Sequence, residues 1–211
     1  MLKMSQLEAR REGAPLRYAR GHFATNHSHI NYYIDITTQK SRLSEAKAVA
    51  HALRSHYDTS TIVDSILCLD GTEVIATCLA EELTDANFVN INAHQTIYIV
   101  TPESTSGNQL IFRDNLIPMI KGKHVLILAA SVVTGSTAKA AIEAVNYYGG
   151  KAVGIGSIFA TTQELDGVKV ASVFDPRDLT DYACHPSSDC PLCKRGEKLD
   201  ALVNSFGFSK L

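Results

Sequence analysis

The sequence contains no apolar run approaching the ~20 residues that a membrane-spanning helix needs. Its opening stretch, MLKMSQLEARREG, is charged throughout and lacks the apolar core of a signal peptide. Acidic and basic residues are scattered at a formal net charge of −2, so the sequence shows no basic face for nucleic acid. We therefore expect a cytoplasmic protein whose partners include neither membrane nor nucleic acid.

Internal repeats and low-complexity segments are also missing. The 211 residues are 45% hydrophobic, which suits one compact domain. With a cytoplasmic location, the five cysteines are expected to be thiols or metal ligands rather than disulfides.

Strands and helices alternate through the middle of the chain, which predicts an α/β fold with a mostly parallel sheet flanked by helices. The predicted strands are 31–36, 61–69, 96–100, 125–128, 152–160 and 168–174. The predicted helices are 2–12, 42–57, one capped by Thr72, 136–148 and 199–205. We expect a single domain over 1–211, with a core of about 40–175 and a small hood from about 1–36 plus the tail 176–211. In such sheets ligands bind where strands end, so the loops after Cys68 and Leu128 are the candidate site.

The loop after Leu128 combines small residues, hydroxyls and a helix start. Free N–H groups at the start of the helix near Ser136, and the glycine before it, suit a phosphate monoester. An ordinary capped helix remains the alternative interpretation. The predicted phosphate-binding residues are Ser131, Val133, Thr134, Gly135, Ser136 and Thr137.

The stretch VLILAASVVTGSTAKAAIEAV resembles the signature by which type I phosphoribosyltransferases bind 5-phosphoribosyl 1-diphosphate (PRPP). Ala129 and Ala130 stand where that signature has two acidic residues. GHFATNHSHINYYIDI resembles the N-terminal segment of the orotate phosphoribosyltransferases. DSILCLDGTEVIATCLAEEL resembles the family's pyrophosphate loop and its helix, with the loop at Leu69, Asp70, Gly71 and Thr72. The resemblance covers roughly residues 15–175 in the family's order.

This resemblance implies a phosphorylated ribose ligand, a homodimer and, if the protein is catalytic, Mg²⁺. The family joins a base such as orotate, a pyrimidine, to ribose 5-phosphate and expels pyrophosphate. Three departures predict impaired transfer: the alanine pair, Asp70 in the pyrophosphate loop, and TPESTSGNQLIFRDN, which has no cation before Arg113. The alternative is an active enzyme whose substituted groups are Asp70, Glu73 and Arg113. We also expect the apolar segment IFRDNLIPMI to dock on a partner subunit.

The tail contains CHPSSDCPLCKRG, whose Cys190 and Cys193 form a knuckle of the kind that binds Zn²⁺. We favour reduced cysteines that pack a turn, and a zinc site completed by Cys184 and His185 is the alternative. Near the N-terminus, His22, His27 and His29 are interpreted as solvated turn residues, with metal or base contacts as the alternative. We assign no metal ligands within the ribose-phosphate site.

Overall fold

The structure is a computed structural model that describes residues 2–8, 13–26, 28–57, 60–85, 91–92, 96–105, 107 and 109–211. The strands are β1 Ser5–Glu8, β2 Pro15–Ala24, β3 His29–Asp35, β4 Ser65–Cys68, β5 Tyr98–Val100, β6 Glu103–Ser104, β7 Leu110–Ile111, β8 His124–Val132, β9 Lys151–Ala160, β10 Glu164–Leu165, β11 Val168–Phe174, β12 Cys184–His185, β13 Ala201–Asn204 and β14 Gly207–Lys210. The α-helices are α1 Thr37–Ser41, α2 Leu43–Arg54, α3 Glu73–Thr84, α4 Ser136–Tyr147 and α5 Pro191–Lys194.

The core sheet has the order β10-β11-β9-β8-β4-β5 and is parallel except for β10. This confirms the predicted mostly parallel sheet flanked by helices. The central strand β8 shows why both faces must be covered. Val125, Ile127 and Ala129 face the layer under α4, whereas Leu126 and Leu128 face the layer under α2 and α3. Such two-sided burial is typical of parallel strands.

A second sheet, which we call the hood sheet, has the order β12-β3-β2-β13-β14, with β1 paired to β2. It corrects two predictions. Residues 5–8 form a strand and not part of a helix, because Leu7 pairs with Leu16 along the edge of β2; residues 9–12 lie outside the described residues. The predicted helix 199–205 is the strand β13, where Ala201 and Val203 are buried and the residues between and after them are exposed. That alternation has the period of a strand.

The hood sheet is fastened to the core by charged and polar contacts. Arg17 on β2 donates to Glu45 on α2 at 2.7 and 3.0 Å, and to Thr38 Oγ1. The hydrogen bond from Arg17 lowers the pKa of Glu45, with smaller help from Thr38. The contact holds β2 and β3 beside the strand ends of the core sheet.

The apolar side chains of the segment IFRDNLIPMI pack partly or wholly inside the protein. Phe112 and Ile120 are buried in the layer under α4, and Leu116 and Ile117 pack against it. The expected docking segment is therefore part of the protein's own core, and the homodimer stays a prediction.

None of the helices in the described part of the chain combines the length and hydropathy that a bilayer crossing needs.

Candidate functional site

A cavity of about 270 Å³ opens between the carboxyl ends of the core strands, the hood strand β3 and the tail. The hood contributes aromatic and small polar residues, and the core contributes the loop after β8. The lining residues are Thr25, Asn26, Ser28, Ile30, Tyr32, Tyr33, Ile34, Ile36, Asp70, Ser131–Ala138, Tyr182, Val203, Asn204 and Ser205. Every predicted phosphate-binding residue lies on this wall, whereas of the pyrophosphate loop only Asp70 does.

The phosphate loop, residues 131–137, has a backbone shaped for a close-fitting anion. Gly135 has φ 78° and stands directly before α4. A Cβ there would lie 2.8 Å from Leu165 Cδ2, so the position has little room for a side chain. No side chain caps the helix start, and Thr134, Ser136 and Thr137 are exposed beside it. The first N–H groups of α4 and three hydroxyls therefore face the cavity.

Ala129 and Ala130 do not reach this cavity. The predicted strand 125–128 continues as β8 to Val132, so both alanines are strand residues, and Ala129 pairs with Ser157 on β9. Ala129 is 2% exposed and Ala130 0% exposed, in opposite apolar layers of the core.

The pyrophosphate loop is held by its own neighbours. Thr72 precedes α3 as predicted, but its hydroxyl does not cap the helix. It donates instead to Leu69 O at 2.9 Å and to Leu128 O at 3.1 Å. Leu69 N–H also donates to Leu128 O, at 2.8 Å. These bonds fix the loop against the end of β8.

Asp70 places its carboxyl group in a largely buried position on the cavity wall. Its φ is 58°, in the left-handed region. Burial raises the pKa of Asp70, although hydrogen bonds from the Ser205 side chain and the Ala130 N–H, and the charge of Lys40, oppose that rise. Asp70 and Ser205 both line the cavity, so a negative charge lies on this part of its wall when the carboxyl group is ionised.

Lys40, which the sequence analysis missed, lies beside this loop. Its ammonium donates to Asp70 O and to Ser205 O, each at 2.6 Å. Burial lowers the pKa of Lys40, while Asp70, Glu73 and Asp35 oppose that shift. Because Lys40 belongs to α1 and Ser205 to the tail, no local motif could have indicated the contact.

The other two candidate substituted groups, Arg113 and Glu73, also have partners within the protein. Arg113 donates to both carboxylate oxygens of Glu103, at 2.8 and 2.6 Å. Glu73 accepts a bond from Thr101 Oγ1 at 3.0 Å. Ser106 and Asn108 of this loop lie outside the described residues.

Tyr32 and Tyr182 are two of the three tyrosines that line the hood side of the cavity. Tyr32 donates its hydroxyl to Thr180 O at 2.6 Å, and its ring stacks on Tyr182. The Tyr182 hydroxyl is buried and has no hydrogen-bond partner among the described residues. Burial, with a small contribution from Cys184, raises the pKa of Tyr182, so the group is a neutral donor. A polar atom of a ligand would satisfy it.

A second group of polar side chains lies outside the cavity, in the hood. Cys190 and Cys193 meet His22 and His29 there, and not Cys184 and His185, which lie on β12. His22 is 2% exposed, so its interpretation as a solvated turn residue is wrong. His27 lies outside the described residues.

No protein-family model matches this chain, and no curated protein sequence is significantly similar to it. Solved structures resemble it in fold. A phosphoribosyltransferase from Corynebacterium diphtheriae has a TM-score of 0.52 and 18% identity, covering 74% of this chain and 89% of that one. Orotate phosphoribosyltransferase of Mycobacterium tuberculosis H37Rv in complex with PRPP has a TM-score of 0.50 and 17% identity, covering 70% and 83%. Adenine phosphoribosyltransferase from Rhodothermus marinus has a TM-score of 0.50 and 16% identity, covering 82% and 93%. The chain therefore has the fold of the type I phosphoribosyltransferases, as its motifs predict.

Proposed function

We propose that this protein binds a compound of the ribose 5-phosphate type, such as a nucleoside 5′-monophosphate, and that it is impaired in phosphoribosyl transfer. The observation that carries the proposal is a contrast within one cavity. The phosphate loop presents helix N–H groups and hydroxyls to the cavity, whereas the pyrophosphate loop presents only Asp70 and holds the Lys40 ammonium on its backbone.

The hydrogen-bond donors of the phosphate loop support binding of the phosphate group of the ligand. N–H groups at the start of a 12-residue helix and the hydroxyls of Thr134, Ser136 and Thr137 can all donate to phosphate oxygens. Asp70 is the only charged residue among those that line the cavity. Recognition of a monophosphate would therefore rest on helix and hydroxyl donors.

Among the described residues, Lys40 is the cation at the pyrophosphate loop that could stabilise charge during transfer, and its ammonium already donates to Asp70 O and Ser205 O. The alanine pair is buried, and Arg113 is paired with Glu103. Removing one group that stabilises developing charge commonly costs roughly 10²–10³ in rate. Mg²⁺ usually binds one or two carboxylates together with substrate phosphates, and Asp70 is the carboxylate that the described cavity wall offers. We derive no step through a metal ion at this site.

The proposal leaves open which base the ligand carries. The resemblance to orotate enzymes favours a pyrimidine, and the fold is shared equally by an adenine enzyme. The hood wall offers the unpartnered Tyr182 hydroxyl and the aromatic ring of Tyr32 for a base or a sugar edge.

Calorimetric titration tests the binding proposal. We expect ribose 5-phosphate, uridine 5′-monophosphate and adenosine 5′-monophosphate to bind, and ribose and the unphosphorylated nucleosides to show no heat at the same concentrations. Binding of nucleosides as tight as that of their monophosphates would contradict recognition through the phosphate loop. Absence of binding by every phosphorylated compound at millimolar concentration would contradict the proposal as a whole.

An active phosphoribosyltransferase is the second candidate, and Lys40 is the observation that favours it. Its ammonium lies at the pyrophosphate loop, where a cation could neutralise a leaving diphosphate if it released Asp70 O and Ser205 O. Consumption of orotate or adenine in the presence of PRPP and Mg²⁺ tests this candidate. Turnover near 1 s⁻¹ or faster, roughly the usual enzyme range, would establish it over the binder.

A further inference from the structure

Four potential metal ligands from two distant parts of the chain converge in the hood. The group comprises His22 on β2, His29 on β3 and the knuckle cysteines Cys190 and Cys193 in the tail. Their ligand atoms all lie within 4.8 Å of one another. His22 Nε2 is 3.2 Å from His29 Nδ1 and 3.4 Å from Cys190 Sγ. Cys193 Sγ is 3.3 Å from His29 Nδ1 and 3.7 Å from His22 Nε2.

These separations match the edges of a tetrahedron around one zinc ion. With Zn–N near 2.05 Å and Zn–S near 2.3 Å, tetrahedral angles give edges of roughly 3.3 Å between nitrogens and roughly 3.6 Å between nitrogen and sulfur. The structure has 3.2 Å for the first and 3.3–3.7 Å for the second. We propose that His22, His29, Cys190 and Cys193 bind one Zn²⁺ in a structural site that fastens the tail to the hood.

The orientation of His22 supports a metal over a set of ordinary hydrogen bonds. Its Nδ1 lies 3.0 Å from Glu197 O, and because a carbonyl only accepts, Nδ1 carries the proton in that bond. In the neutral ring, Nε2 then has a single lone pair, yet three groups face it within 3.7 Å. A cation at their centre satisfies all of them at once. A carbonyl bonded to the far ring nitrogen is also the usual outer-shell support of a metal-binding histidine.

The backbone of β2 is shaped to place His22 there. The pairing of β2 with β3 shifts register between Arg20 and Phe23, a bulge that turns Gly21 and His22 out of the regular ladder. Gly21 has no room for a side chain, because a Cβ would lie 2.6 Å from Asp200 Oδ2. Asp200 in turn accepts from the His22 N–H at 2.8 Å. The tail residue Asp200 therefore also holds the backbone of His22, the proposed metal ligand, in place.

The two cysteines lie on a compact turn of the kind that zinc knuckles use. Lys194 N–H donates to Cys190 O at 3.1 Å, and Gly196 N–H donates to Cys193 O at 2.9 Å. Gly196 has φ 75°, which closes the turn directly after the second ligand. All five cysteines of the chain are free thiols in the structure, so the knuckle is not a disulfide.

Charge and burial are consistent with this metal. Two thiolates and two neutral imidazoles neutralise Zn²⁺ within the group, so the site carries no net charge into its surroundings. Cys190 is 1% exposed and Cys193 is exposed, which leaves an entry path on one side. Soft thiolate ligands with imidazole nitrogens favour zinc over Mg²⁺ or Ca²⁺.

The proposed site connects to the cavity through the tail. After the knuckle the chain continues into β13, which pairs with β2 and delivers Asn204 and Ser205 to the cavity wall. Ser205 is the residue that engages both Asp70 and Lys40. Loss of the metal would therefore loosen the wall on the pyrophosphate side, whatever the ligand of the cavity is.

Metal analysis of the full-length protein tests the inference. Protein purified without chelator should contain about one zinc per chain, and Cys193→Ser should reduce this to near zero. Cys193 is exposed, so its replacement removes a ligand with little loss of packing. Cys184→Ser is the matched control, because Cys184 lies on the adjacent strand β12 outside the group, and it should keep the metal.

Cobalt substitution gives an independent readout. After chelation and addition of Co²⁺, the unmodified protein and Cys184→Ser should show the absorption of tetrahedral thiolate-bound cobalt, and Cys193→Ser should not. Absence of both zinc and that spectrum in the unmodified protein would overturn the inference. Equal metal content in Cys193→Ser and Cys184→Ser, or a Cys190–Cys193 disulfide found by mass spectrometry under reducing purification, would overturn it as well.

Discussion

The two loops at the ligand-binding edge of the core sheet differ in where their partners come from. The phosphate loop is built from one continuous segment, with β8, Gly135 and the start of α4 following each other in the chain. The pyrophosphate loop is surrounded by Lys40, Ala130 and Ser205, which are distant from it in sequence. The phosphate loop is open to the cavity, whereas the pyrophosphate loop is held by hydrogen bonds to other parts of the protein.

Under the proposed function, this difference indicates which half of a phosphoribosyltransferase site can persist alone. Helix N–H groups and adjacent hydroxyls bind an anion without help from elsewhere. A diphosphate and a developing charge on ribose need cations and carboxylates delivered by other elements. In this chain those positions hold buried alanines and a carboxylate that the tail engages.

The largest expected effect comes from returning an acidic residue to the alanine pair. Ala130→Asp should destabilise the protein by about 4 kcal/mol, because an unpaired carboxylate would be buried in the core. Chemical denaturation measures the free energy of unfolding. Ser131→Asp, one residue further along β8 and exposed, is the control and should change stability little. A stable Ala130→Asp variant with tighter PRPP binding would show that this position still faces the ribose.

The phosphate loop should be most sensitive at Gly135. Gly135→Val should weaken monophosphate binding by at least ~100-fold, since β-branched residues are strained at positive φ and the side chain would meet Leu165. Gly122→Val is the matched control: its φ is 72°, nothing lies within 4 Å of its Cβ, and it is outside the cavity. Titration after thermal melts of both variants separates binding from folding. Equal affinities of the two variants would contradict a loop that binds phosphate.

The pyrophosphate loop should respond in the opposite direction. Asp70→Asn removes the negative charge and keeps the shape, so PRPP should bind roughly tenfold more tightly while monophosphate affinity stays the same. Asp181→Asn is the control, since it has the same φ of 58° and a 76% exposed side chain. Unchanged or weaker PRPP binding in Asp70→Asn would show that Asp70 is not what excludes the diphosphate.

The smallest effect is expected on the hood wall. Tyr182→Phe should weaken nucleotide binding by roughly three- to tenfold without lowering stability, because a hydroxyl with no protein partner is removed. Tyr57→Phe is its control, since the Tyr57 hydroxyl is also buried without a partner and does not line the cavity. Comparable affinities in the two variants would leave Tyr182 without a role in binding.

The sequence predicts the contiguous features of this molecule well. The alternation of strands and helices and the helix Ser136–Tyr147 follow from periodicity and capping over short windows. The phosphate loop is a single continuous motif, so the sequence alone assigns all its residues to one site. Its binding role stays a prediction.

Features that join distant segments could not be predicted in the same way. Lys40 and Ser205 are separated by 165 positions, and His22 and Cys190 by 168. In both pairs, no motif near either residue indicates the contact. The sequence analysis therefore considered the nearby Cys184 and His185 as further ligands for the knuckle cysteines. The strands β1 and β13 are each four residues long, too short for their alternation to outweigh a helical interpretation.

The most direct test of the account is to titrate the unmodified protein with a nucleoside 5′-monophosphate and with PRPP plus Mg²⁺ in the same buffer. The account predicts that the monophosphate binds at least as tightly as PRPP and that Mg²⁺ changes neither affinity. PRPP with Mg²⁺ binding ~100-fold more tightly than the monophosphate, a difference of about 2.7 kcal/mol, would contradict it and indicate an intact pyrophosphate site.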